Sequence, residues 1–223
     1  MKKKVSILGI IIVFVIGGIL VWQYFKAEEK PEEPEQQKEI NQTDKYDEQI
    51  VWWDNEALDE LHKCIGGEPA CVKAVMEKYG AGAKAIEFYE ETGWFVTEFK
   101  EYGTVDLVYL LNPWRANAND DYAMINGEPS IVVAEEEIGV GNKDIENYEL
   151  LSQINPEYSI WGNDNGFIEK ENDNFIFEAD IKDERGCHAC SSGYAAVISF
   201  QFDSEGVYQG MRLKEIKNTT NQE

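Results

Sequence analysis

Basic side chains are scarce in this chain. Twenty lysines and arginines stand against 43 aspartates and glutamates, a formal net charge of −23. A surface of that sign repels phosphate backbones and anionic headgroups, so nucleic acid is not an expected partner. Histidine is scarcer still, with His62 and His188 the only two, which leaves little material for imidazole chemistry. The signatures G-x-S-x-G, H-E-x-x-H and G-x-x-x-x-G-K-[ST] are all missing. With them go the most legible routes to hydrolase, zinc-protease and P-loop activity. Carboxylates are so numerous that no acid/base pair stands out. An enzyme is therefore not the leading expectation.

Charge is missing altogether between Val5 and Phe25, an unbroken run of 21 residues, VSILGIIIVFVIGGILVWQYF. A helix rises about 1.5 Å per residue and the hydrocarbon layer is about 30 Å thick, so roughly twenty apolar residues cross it. Trp22 and Tyr24 fall near one end, where amphipathic rings favour the headgroup level. Lys2, Lys3 and Lys4 precede the run and hold that end on the cytoplasmic side. No small-residue cleavage site follows, as a secretory signal would need. No cysteine precedes Cys64 to take a lipid, and no glutamate interrupts the run as in a pilin-type N-terminus. Residues 1–26 are expected to form an uncleaved signal-anchor, a single-pass transmembrane helix with the N-terminus inside and the bulk of the chain outside.

Apolar residues are nearly absent from 27–48, AEEKPEEPEQQKEINQTDKYDE, which carries nine acidic and three basic side chains. Too little surface can be buried there to offset the entropy of ordering it, so a solvated acidic tether is expected. The domain proper is expected over 49–217, with 218–223 as a tail. It holds 33 acidic and 13 basic residues. Such acidity serves solubility outside the cell, and it also suits a basic or cationic partner in the envelope.

Within the domain the pattern changes period once. From Ile50 to Gly93 it is helical. Asp54 or Asn55 can cap a first helix carrying Leu58, Leu61 and Ile65, which Gly66-Gly67 ends. Pro69 opens a second with Val72, Val75, Met76 and Tyr79 on one face and Gly80 as its stop. A third spans about Ala83 to Thr92 and ends at Gly93. After Gly93 the runs WFVTEFKEY and TVDLVYLL read as strands about a turn at Gly103. Asn126-Gly127 marks a hairpin between Tyr122–Ile125 and Ser130–Val133. A short helix is expected from Asp144 to Ile154, then YSIW, a turn at GNDNG, and FIE. Three further strands follow: Phe175 to Ile181, Tyr194 to Asp203 and Val207 to Ile216. Ala196, Ile198, Phe200 and Phe202 alternate with Ser199 and Gln201 on the opposite face. The order predicts an α+β fold, a helical segment followed by a mostly antiparallel β-sheet.

Four cysteines allow three pairings. Outside the cytoplasm they are expected as disulfides, and proximity favours Cys64–Cys71 and Cys187–Cys190. The C-x-x-C of GCHACSSG precedes a strand rather than a helix, so it does not fit a thioredoxin-like redox motif, and Ser191 stands where haem attachment needs histidine. The alternative reading is zinc, because each cysteine pair has a histidine beside it. Four of Cys64, Cys71, Cys187, Cys190, His62 and His188 could close a tetrahedral site. A weaker alternative is calcium at Asn117, Asn119, Asp120 and Asp121 with Glu128, which offer oxygens at spaced positions but lack the loop glycine. Trp52, Trp53, Trp94, Trp114 and Trp161 suit either a core or a ligand cleft. The function expected is a membrane-anchored extracytoplasmic binding or structural module of the cell envelope. An extracytoplasmic enzyme or metal-binding domain using the Cys/His clusters is the alternative.

Overall fold

The computed structural model describes residues 45–115, 120–139, 143–183 and 192–220, with backbone alone at 163–165. The chain divides into Met1–Thr43 and Asp44–Glu223. All described residues belong to the second unit, so the expected anchor lies outside them. Among the described residues no helix is long and apolar enough to cross a membrane.

The second unit is α+β, a few helices with two antiparallel sheets. The helices come first: α1 (Leu58–Leu61), α2 (Pro69–Lys78) and α3 (Ala83–Thr92). Local chemistry sets their ends. Pro69 opens α2, where its missing N–H has no partner to lose. Gly93 closes α3 at φ 74°, with its N–H on the Tyr89 carbonyl, a left-handed conformation that glycine adopts without steric cost. Val72, Val75 and Met76 of α2 and Ala85, Ile86, Phe88 and Tyr89 of α3 are buried.

The first sheet is a meander of β1 (Phe95–Lys100), β2 (Asp106–Leu111), β3 (Asp120–Ile125) and β4 (Ile131–Val133). Both its faces are covered, and alternation decides what goes where. Val108, Leu110, Ala123 and Ile125 pack with Phe88 of α3. Leu107, Met124 and Val132 pack with the second sheet. That sheet has the order β5 (Tyr158–Glu171), β6 (Asn174–Asp183), β7 (Tyr194–Phe202) and β8 (Tyr208–Asn218). Its inner face supplies Phe175, Phe177, Ile181, Ile198, Phe200 and Leu213 to the same core. The result is three layers, helices on sheet on sheet. Between the sheets in sequence lie α4 (Ala134–Ile138) and α5 (Glu149–Ile154).

Several expectations are corrected. The first helix is a single turn, and Ile65 is not on its buried face but 90% exposed. Gly66 and Gly67 both take positive φ, which turns the chain away just there. The helix expected from Asp144 begins only at Glu149, because Glu146 pairs with β8 instead: its N–H donates to Met211 and its carbonyl accepts from Leu213. The expected turn at GNDNG is not a turn. β5 runs through it, absorbing the extra residues as a register shift between Trp161 and Asn165. Gly162 there lies so close to α4 that a Cβ would sit 2.7 Å from the Glu135 carbonyl oxygen.

The fold also begins earlier than the 48/49 boundary. Tyr46 is 4% exposed, with its ring edge-on to Phe88. Its N–H donates to the Asn126 side-chain oxygen at 2.9 Å, and its carbonyl accepts from the Asn126 amide nitrogen at 2.9 Å. The same amide donates to Asp106 at 2.8 Å. Lys45 and the Tyr46 hydroxyl both donate to Glu91, which holds that carboxyl below its ordinary range. At the other end β8 continues to Asn218, and Thr219 donates to the Gly193 carbonyl.

Candidate functional site

Cys64 and Cys71 are joined by a disulfide that staples α1 to α2, with Cα atoms 5.5 Å apart. Neither sulfur is then a thiolate, so neither can serve the zinc site weighed above. His62 is exposed at the end of α1. Cys187, His188 and Cys190 lie outside the described residues, as does the expected Cys187–Cys190 bridge. Among the described residues no three His, Cys, Asp or Glu side chains gather as a metal-binding group.

Of the calcium set, the described members Asp120, Asp121 and Glu128 do not gather as a metal-binding group. Asn117 and Asn119 lie outside the described residues. Asp120 and Asp121 are neighbours in β3, so their side chains leave opposite faces of the strand. Asp120 accepts from the Tyr109 hydroxyl. Asp121 is buried and accepts from the backbone N–H groups of Tyr122 and Glu135, the latter at the start of α4. Glu128 follows the far end of the strand. This is a structural role for a buried carboxylate, satisfying helix N–H groups that would otherwise lack partners.

Four of the five singled-out tryptophans pack in the helical half. Trp52, Trp53 and Trp114 surround Phe95, with ring centroids 5.6–5.8 Å away. Trp94 is buried beneath the Arg115 guanidinium, and Trp161 carries Lys182 over its ring. None of them lines the cleft described next. Burial pushes the phenols of Tyr109 and Tyr208 upward, with a neighbouring carboxylate adding to each, so both stay protonated.

The feature with unspent hydrogen-bonding capacity lies elsewhere, on the outer face of the second sheet. A cleft of about 310 Å³ is lined there by Glu171, Asn174, Ser199, Gln201, Arg212, Leu213 and Lys214, with Asn147 and Leu150 forming one wall. Register explains it. Ile176, Ser199 and Arg212 stand in one cross-strand row. Ser199 is the small member of that row, and Gly210, opposite Gln201, has nothing within 4 Å of where a Cβ would be. Small residues in the middle and long ones around them leave a hollow. A further shift between Val197 and Ile198 turns both Lys214 and Glu215 outward. Lys214 then reaches Glu171 at 2.6 Å, linking the two edge strands β8 and β5.

Ser199 is 3% exposed, and its hydroxyl makes no hydrogen bond among the described residues. The side-chain amides of Asn147, Asn174 and Gln201 around it make none either. A hydroxyl so deeply set takes its partner from the cleft side, water or ligand. Sequence reasoning placed Ser199 and Gln201 on the outward face but did not see a site in them. The available signal was a serine opposite an arginine in a row otherwise built of long side chains, and it needs the register to be read.

The fold and the cleft define an α+β domain of three layers with a small polar hollow on its outer sheet. No family model matches the chain, nor does any curated protein or solved structure.

Proposed function

We propose that this chain is a single-pass, membrane-anchored module of the cell envelope whose outward-facing domain binds a small ligand without transforming it. The observation that carries the binding reading is the buried Ser199 hydroxyl, which lines the cleft and has no hydrogen-bond partner among the described residues, so it is available to a bound acceptor or donor. The uncharged run of 21 residues behind three lysines supports the anchor. The Cys64–Cys71 disulfide suits an oxidising compartment. The polar, acidic composition of 27–48 suits a tether between anchor and domain.

Two readouts on the full chain test it. Protease added outside intact cells should remove the domain and leave an N-terminal fragment that keeps Lys2 to Lys4. A mature N-terminus beyond residue 26 overturns the anchor. Filling the hollow with Ser199→Leu should abolish ligand binding by the purified chain. Binding that survives this change places the ligand elsewhere.

A further inference from the structure

The outer-sheet cleft has one closely paired cation and one loosely paired. Lys214 donates to Glu171 at 2.6 Å, a close ion pair. Among the described residues Arg212 has only Glu146, with Nε 3.7 Å from the carboxylate, too long for a hydrogen bond. Their side chains are 49% and 56% exposed, so the attraction between them is weak and screened. The Arg212 guanidinium therefore keeps its fork of donors. Directly across the strand pair stands Ser199. Side chains in that relation have Cβ atoms about 5 Å apart, and both residues line the cleft.

We propose that this cleft holds the C-terminal end of a short peptide, with its carboxylate received by Arg212 and Ser199. A carboxylate is planar and offers four acceptor positions. An arginine fork takes two in parallel, and a hydroxyl supplies a third donor. That contact satisfies Ser199 and replaces a poor ion pair with a charge-assisted bidentate one. The next row on the same face carries Gln201 beside the gap at Gly210, with Asn174 also lining the cleft. Each amide side chain offers both a donor and an acceptor, the same pair that a peptide bond presents. On the opposite wall Leu150, 37% exposed, gives an apolar surface for a side chain of the peptide.

Charge and size narrow the ligand further. The protein's net charge of −23 opposes any polyanion, so the group received carries a single negative charge and is neutral elsewhere. A volume of about 310 Å³ lies at the small end of ligand sites, enough for a chain end and not for a long segment. This assignment rests on the reading of the same cleft as the binding site, and the experiment separates the two.

The test is calorimetric titration of the full chain in neutral detergent with N-acetyl-alanyl-alanine, with its C-terminal amide, with acetate and with glucuronate. The free-acid dipeptide should bind, and the amide should bind at least about tenfold more weakly, as loss of a charge-assisted hydrogen bond implies. Arg212→Gln and Ser199→Ala should each weaken the free acid with little effect on the amide, thermal melts confirming that both variants fold. Acetate or glucuronate binding as tightly as the dipeptide acid overturns the peptide assignment. Equal binding of acid and amide, both lost in Ser199→Leu, overturns the carboxylate and keeps the cleft as a binding site. No heat with any probe, or binding indifferent to all three substitutions, overturns the cleft as well.

Discussion

Asn126 shows how much one side chain can organise. It takes a positive φ of 68° in the turn between β3 and β4, where asparagine is better tolerated than most residues. From there its amide bonds both backbone groups of Tyr46 and one oxygen of Asp106. All three partners are buried or nearly so, which makes the loss asymmetric: removing the amide strands the groups that it satisfied. Asn126→Ala should cost about 2–4 kcal/mol, the sum expected for a few stranded buried groups. Urea denaturation followed by circular dichroism checks it. A change under about 0.5 kcal/mol, the scale of an incidental surface substitution, contradicts this role.

At the scale of elements, the disulfide between α1 and α2 is the feature with a separable effect. It closes a separation of 7 residues, and chain entropy alone gives about 2.5 kcal/mol for a loop of that size. Replacing both Cys64 and Cys71 by serine should lower the urea midpoint accordingly. The comparison is made without reductant, so that Cys187 and Cys190 are in the same state in both chains. The helices and most strands were legible in advance because their signals are local. Pro69, Gly80 and Gly93 mark ends, and Val72, Val75 and Met76 mark a face, without help from distant residues. Where the reading failed, a distant partner decided. Glu146 leaves a helical pattern because the edge of β8 offers it two backbone bonds. The run at Gly162 stays in β5 because α4 and β6 hold it there. The cleft was illegible for the same reason: Ser199 meets Arg212 only through register between strands.

For the whole molecule, the start of the fold is the point that matters most. Composition drew the boundary after residue 48, since 27–48 is almost uniformly polar. Tyr46 belongs to the core all the same, and Asp47 accepts from Lys84 at 2.6 Å. A chain that starts at Asp44 should therefore melt cooperatively, and one that starts at Gln49 should be less stable by about 2–4 kcal/mol, the range for deleting a buried aromatic together with its bonds. Thermal melts of the two chains decide this. Equal midpoints would return Tyr46 to the tether.

The attachment of Tyr46 also has a mechanical meaning. A load arriving from the N-terminal side is met by Lys45 on Glu91, then by the two bonds to the Asn126 amide and by the Tyr46 ring against Phe88. None of these belongs to the ladder of either sheet. A pull on this end therefore loads side-chain contacts before it loads the register of either sheet.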